Sequence, residues 1–267
     1  MPSRLLVSNL GRMPYADALA LQRAVARARI SGEIDQDLLL LVEHPPVVTL
    51  GRSSKERHLL ASPALLAARG VELFEVERGG DITFHGPGQL VGYPIIDLKR
   101  HRKDLHWYLR QVEEALIQAI APFGLVGGRV EKYTGVWVNV GDQAGSALTE
   151  LAETGNQHLV LNSPPRKLAS IGVHARDWVT WHGFALNVNT DLRYFDLIVP
   201  CGISDVIMTS VSRELDAGSI AMQVATDEVT RAFGRVFDLT PQTVPVSSLA
   251  ATGVVGAEAG AVSPPLR

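Results

Sequence analysis

No second cysteine accompanies Cys201 in the 267 residues, which excludes an intrachain disulfide. No apolar run approaches the ~20 residues that cross a bilayer. The opening Met1-Pro2-Ser3-Arg4-Leu5-Leu6-Val7 has none of the long apolar stretch that a signal peptide carries. One thiol without an export signal implies a cytoplasmic protein, away from membranes. A large charge excess is also missing. The 25 Lys and Arg against 28 Asp and Glu leave a formal net charge of -3, which argues against a general nucleic-acid binder while leaving room for local basic patches. What is present is ordinary globular composition, 46% hydrophobic and 20% charged, suited to one large domain with at most a small appendage.

From Pro14 to Ser31, Ala18, Leu21, Val25 and Ala28 recur at helical spacing and predict a first amphipathic helix. Leu105, Leu109, Val112, Leu116 and Ile120 trace one face of a second, which starts after Asp104 and stops at Gly124. A third covers 227–237, with Val229, Phe233 and Val236 on one side. Apolar runs at 38–42 and 47–50 flank Glu43-His44-Pro45-Pro46 and read as two strands joined by a proline-stiffened turn. Further strands are predicted at 73–77, 90–98, 135–140, 169–174, 184–188 and 195–199, an α+β order without regular βαβ alternation. Two stretches are peripheral by composition. Residues 141–165 contain Asp142, Glu150 and Glu153 but no lysine or arginine, and read as an acidic surface excursion. Residues 240–267 hold four prolines, no aromatics, and only Glu258 and Arg267 as charges, so they read as a disordered or loosely draped tail. The folded domain is thus expected to span 1–239.

Cys201 closes the run Asp196-Leu197-Ile198-Val199-Pro200-Cys201-Gly202-Ile203. Pro200 fixes one backbone angle and Gly202 tolerates angles that other residues avoid, an arrangement that presents a nucleophile at a strand end. The bland alternative is a buried thiol acting as a small hydrophobe. Arg78 to Gln89 packs four glycines, Pro87, His85 and Arg78 into twelve residues. Glycines let backbone N–H groups approach a ligand, and an arginine beside them holds a carboxylate or phosphate; the alternative is a pair of tight turns around a short strand at 81–84. Arg166-Lys167 begins a buried-looking strand and reads as a solvated terminus unless Lys167 folds beside Cys201. In that case its ammonium lowers the thiol pKa from the ordinary ~8.5. His182 stands beside Gly183 ahead of an alternating strand. His85, His182 and Cys201 form no recognisable zinc spacing, and no metal is expected. Lys99-Arg100-His101-Arg102-Lys103 is either a solvated loop or a patch that speeds encounter with an acidic partner.

Three segments taken together, RGGDITFHGPGQLVGYPIIDL, RKLASIGVHARDWVTWHGFALNVNTDL and YFDLIVPCGI, resemble in wording, order and spacing the octanoyltransferases of lipoate biosynthesis, the lipoyl(octanoyl) transferases. The resemblance runs from about Leu38 to Ser212 and includes EHPPVVTLGR. It implies a mixed, largely antiparallel sheet packed with helices, similar to the catalytic domain of biotin and lipoate protein ligases. It further implies transfer of an octanoyl group from acyl carrier protein to a lysine of lipoyl domains, with Cys201 as acyl-carrying thiol and Lys167 as its general acid/base. The substrate-binding residues implied are Arg78, Gly79, Gly80, Asp81, Ile82, Thr83, Phe84 and His85, then Ser170, Ile171 and Gly172, then Gly183, Phe184 and Ala185. Neither cofactor nor metal is implied. The 141–165 excursion is longer than the usual family connection and the tail is an addition, departures that touch the partner surface and not the motif residues. Two competing readings are an ATP-dependent lipoate or biotin protein ligase and a carrier-binding module without turnover.

Overall fold

The computed structural model describes residues 3–140, 164–203 and 206–249. Strand β2 (Asp37–Glu43) is apolar from Leu38 to Val42 because both of its faces are covered. Leu39 and Leu41 enter one core with helices α3 (Leu105–Ile120), the short α4 (Val211–Glu214) and α5 (Met222–Phe237), while Leu38, Leu40 and Val42 enter a second with α1 (Tyr15–Ser31). Side chains alternate across a strand, so a sheet sandwiched between helices needs apolar residues at every position.

β2 belongs to a nine-stranded sheet whose other members are β1 (Arg4–Arg12), β6 (Gln89–Ile95), β7 (Gly127–Val130), β8 (Tyr133–Val138), β9 (Arg166–Arg176), β10 (Val179–Asn187), β11 (Ile207–Met208) and β12 (Thr240–Thr243). The order is β12-β1-β2-β6-β10-β9-β8-β7, with β11 also paired to β9. The pairs β12–β1, β1–β2 and β11–β9 are parallel and the others antiparallel, in line with the expected mixed, largely antiparallel architecture. A small sheet of β3 (Val47–Leu50), β4 (Glu72–Glu75) and β5 (Ile82–His85) packs with α2 (Pro63–Ala68) around Ile82, Phe84, Phe195 and Ile198. The three long helices fall where apolar periodicity put them, and the Asp104 carboxylate caps α3 by accepting from Trp107 N–H at 3.0 Å.

The runs at 38–42 and 47–50 are strands joined by a proline-stiffened turn, as expected, and Pro45 and Pro46 carry the chain from the large sheet to the small one. Two expectations fail for tertiary reasons. Residues 195–199 are not a strand. Leu192–Leu197 coils into a 3₁₀ turn capped by the Asp191 carboxylate, which places Phe195 and Leu197 in the small-sheet core. The stretch from 240 does not begin as a disordered tail, since β12 pairs in parallel with β1 and α6 (Val246–Leu249) buries Leu249. Residues 250–267 and 141–163, the latter most of the acidic excursion, lie outside the described residues. Among the described residues no helix is long and apolar enough to cross a membrane.

The basic cluster is largely neutralised. Lys99 lies 3.6 Å from Asp97, Arg100 3.0 Å from Asp35 and Arg102 3.2 Å from Asp104, while His101 Nε2 sits 2.7 Å from Asp37. Asp37 and Asp97 also flank the buried Arg29, at 3.3 and 3.5 Å. Replacing Arg29 by methionine leaves two buried carboxylates without their shared cation and is expected to cost about 3–5 kcal/mol, read as a lower urea midpoint with little change in slope.

Candidate active site

Cys201 occupies a one-turn 3₁₀ segment, Pro200–Gly202, and its own backbone is left-handed at φ 56° and ψ 18°. A residue with a Cβ held there costs about 1–3 kcal/mol, so the surroundings must fix it. Val199 N–H donates to the His58 carbonyl at 2.7 Å, and Gly202 N–H returns to the Val199 carbonyl at 3.0 Å. Gly202 is itself at φ 69°, and a side chain there would collide with the Asp81 carboxylate.

Lys167 reaches this turn from β9, with its Nζ 3.1 Å from Cys201 Sγ and its side chain fully buried. Ser170 Oγ is 3.8 Å from the same sulfur. In a regular strand, residues three apart point to opposite faces. Here β9 carries a bulge: Val136 of β8 pairs with Ala169 and Trp137 with Lys167, which leaves Leu168 as an extra residue. The bulge advances the alternation by one and aims Lys167 and Ser170 at the same sulfur. Gly135, at φ 138°, leaves room for the lysine stem, because a Cβ there would lie 2.9 Å from Lys167 Cε. The Trp137 ring centroid lies 5.2 Å from Nζ, a favourable face for a cation.

Burial pushes the Cys201 thiol pKa up, but the Lys167 ammonium beside it, the Ser170 hydroxyl and the more distant Arg78 guanidinium outweigh burial and bring the net value down. Arg78 is itself buried. Its Nη2 donates to the Thr49 carbonyl at 2.7 Å and to Thr49 Oγ1 at 2.9 Å, and no carboxylate lies within ion-pair distance among the described residues. Burial lowers the Arg78 pKa, with Tyr15, Cys201 and Asp81 acting against that shift. His85 Nδ1–H donates to Gln89 Oε1 at 2.8 Å, and burial drops its pKa to about 3, so the ring is neutral at pH 7.

These groups line one cavity of about 320 Å³. Both expected catalytic residues and every expected binding residue except Phe84 border it: Arg78, Gly79, Gly80, Asp81, Ile82, Thr83 and His85, Ser170 to Gly172, and Gly183 to Ala185. Phe84 faces the small-sheet core instead, stacked on Tyr194 at 4.7 Å, because it alternates with Thr83 and His85 along β5. His182 borders the cavity as well, close to Glu77 at 3.7 Å. Among the described residues no group of three side chains is gathered as metal ligands would be. Sequence reading overlooked Tyr15, Tyr93, Leu105, Leu109, Lys132 and the first two residues of β8, Tyr133 and Thr134. Leu105 and Leu109 carried a signal, since they lead the apolar face of α3 yet Leu105 remains exposed. Of the glycines near the thiol, Gly79 already donates its N–H to the Val173 carbonyl at 2.8 Å and Gly202 is likewise engaged. Gly80 borders the cavity at φ 83° with no acceptor for its N–H among the described residues.

The family model of the lipoyl protein ligase A/B catalytic domain matches residues 14–237. An octanoyltransferase of Acidobacterium capsulatum is 50% identical over 237 residues, covering 86% of this chain and 88% of that protein. An octanoyltransferase of Koribacter versatilis is 46% identical over 233 residues, covering 86% and 83%. In fold, the chain superposes on an archaeal bipartite lipoate protein ligase from Thermoplasma acidophilum with a TM-score of 0.67 at 17% identity, over 97% of this chain and 100% of that one.

Proposed function

The chain belongs to the lipoyl protein ligase A/B catalytic-domain family, among its octanoyltransferases, and from that premise we propose that it moves octanoyl from acyl carrier protein to a lysine of lipoyl domains through a Cys201 thioester. The observation that carries this reading is the buried Lys167 ammonium 3.1 Å from a thiol whose pKa it lowers, both at the wall of a 320 Å³ cavity.

In the first half-reaction the Cys201 thiolate attacks the carbonyl of the carrier thioester. A C–S bond forms to Cys201, the bond to the pantetheine sulfur breaks, and Lys167 hands its proton to that departing sulfur. One thioester replaces another, so the exchange is nearly isoenergetic and stores the acyl group on the protein. Lys167 is then a neutral amine. In the second half-reaction the acceptor lysine arrives as an ammonium, with a pKa of ~10.4, and passes one proton to Lys167. Its nitrogen attacks the acyl carbonyl, the C–S bond to Cys201 breaks, a second proton leaves to water, and the thiolate–ammonium pair is restored. Each attack places negative charge on the carbonyl oxygen, and the Gly80 N–H is the backbone donor we assign to it.

The test is intact-protein mass spectrometry after mixing the chain with octanoyl carrier protein in the absence of ATP. A gain of one octanoyl group that hydroxylamine removes is expected. Absence of any adduct, together with octanoylation of a lipoyl domain only when ATP and free octanoate are supplied, would establish the adenylating ligase instead.

A further inference from the structure

The cavity is unevenly charged. Among the described residues Arg78, Lys132 and Lys167 border it as cations, and the carboxylates are represented by Asp81 alone. In the resting protein the Cys201 thiolate balances the Lys167 ammonium. Acylation removes both charges, because a thioester carries none and Lys167 has given its proton to the departing sulfur. The acceptor ammonium therefore enters a cavity in which Arg78 and Lys132 still outnumber the Asp81 carboxylate. The donor thioester brings no charge at its reacting atoms and meets no such barrier.

On the covalent-transfer reading above, we propose that Asp81 receives the ε-ammonium of the acceptor lysine and makes the acyl-enzyme selective for a cationic amine. Asp81 stands beside the nucleophile: a Cβ on Gly202, the residue after Cys201, would lie 2.5 Å from Asp81 Oδ2. The carboxylate is held rigidly. Oδ2 pairs with His58 Nδ1 at 2.7 Å and Oδ1 accepts from Ile82 N–H at 2.8 Å. A carboxylate offers about four acceptor positions, so these two bonds leave room for an ammonium. Its side chain is 11% exposed, open enough to be reached yet shielded enough for the attraction to count. His58 also holds the Cys201 turn through its carbonyl, so the pair fixes the carboxylate relative to the thioester. Asp81 keeps the amine within reach while its proton passes to Lys167.

The experiment loads Cys201 from a small octanoyl thioester and measures discharge of the acyl-enzyme by a lipoyl domain and by hydroxylamine, which is uncharged at neutral pH. In Asp81→Asn the ratio of the two rates is expected to fall about tenfold or more relative to the unaltered protein. Because both nucleophiles attack the same acyl-enzyme, the ratio is insensitive to a lower yield of folded or loaded protein. If Asp81→Asn does not fold, Asp81→Ser removes the same charge. His58→Gln, which keeps the carboxylate, is expected to preserve the ratio. An unchanged ratio in the charge-removed variants overturns the proposal, and so does an equal fall in His58→Gln, which would make the pair a purely structural clasp. Failure of the unaltered protein to load at all would instead remove the covalent reading on which the proposal rests.

Discussion

Replacing Lys167 by methionine is expected to slow octanoyl transfer about 10²–10⁴-fold, the usual contribution of a positioned general acid/base. Methionine fills much of the same buried volume without the charge, so the channel between Gly135 and Trp137 stays packed. Two functions disappear together. The departing pantetheine sulfur loses its proton donor, and the Cys201 thiol loses the cation that outweighs burial. The second loss has its own signature. With Lys167 present the thiol pKa is below its ordinary value. Without it burial dominates, the pKa rises, and less thiolate exists at neutral pH. The pH profile of iodoacetamide labelling at Cys201 is therefore expected to move to higher pH in the variant. An unchanged profile would show that Lys167 does not set the thiolate and acts on the leaving group alone.

Cys201→Ser is expected to reduce transfer on the order of 10³-fold or more and to yield no octanoyl adduct from carrier protein. The substitution exchanges one atom. The left-handed turn, its bond to the His58 carbonyl and the cavity wall remain. What changes is the nucleophile: a hydroxyl next to Lys167 does not ionise as a thiol does, and a serine ester formed from a thioester is a harder acyl donor for the second step. Circular dichroism and the thermal midpoint serve as controls, with a shift of only a few degrees expected. A serine variant that still accumulates octanoyl adduct would place the acyl group on another residue.

Much of the fold was legible because burial imposes local periodicity. α1, α3 and α5 each bury one stripe, and the apolar residues recur at the helical interval that such a stripe requires. Strand residues were legible in kind but not in partner. The run 38–42 and the run 47–50 both read as strands, yet nothing local says that Pro45 and Pro46 send them to different sheets. The run at 195–199 misled because an apolar segment packed on one side has the same composition as a short strand or a tight helical turn. β1 and β12 went unrecognised for a different reason. β12 is only four residues long and far from β1 in the chain, and their parallel pairing, Arg4 with Thr240 through Val7 with Thr243, has no local trace.

By itself the sequence determined the chemistry available: one thiol, with Pro200 before it and Gly202 after it, a glycine-rich segment around Arg78, and a lysine at the start of a strand. Those are properties of residue type and immediate neighbours. Only the tertiary structure decided that they meet. Lys167 and Cys201 are 34 residues apart, and their contact depends on the register between β8 and β9, where the extra residue Leu168 turns Lys167 toward the sulfur. Phe84 illustrates the same limit in reverse, since its place in a motif gave no sign that β5 would turn it away from the cavity. Register is a relation between segments distant in the chain, set by which packing buries both faces of the sheet. A one-residue shift reverses every side chain on the strand.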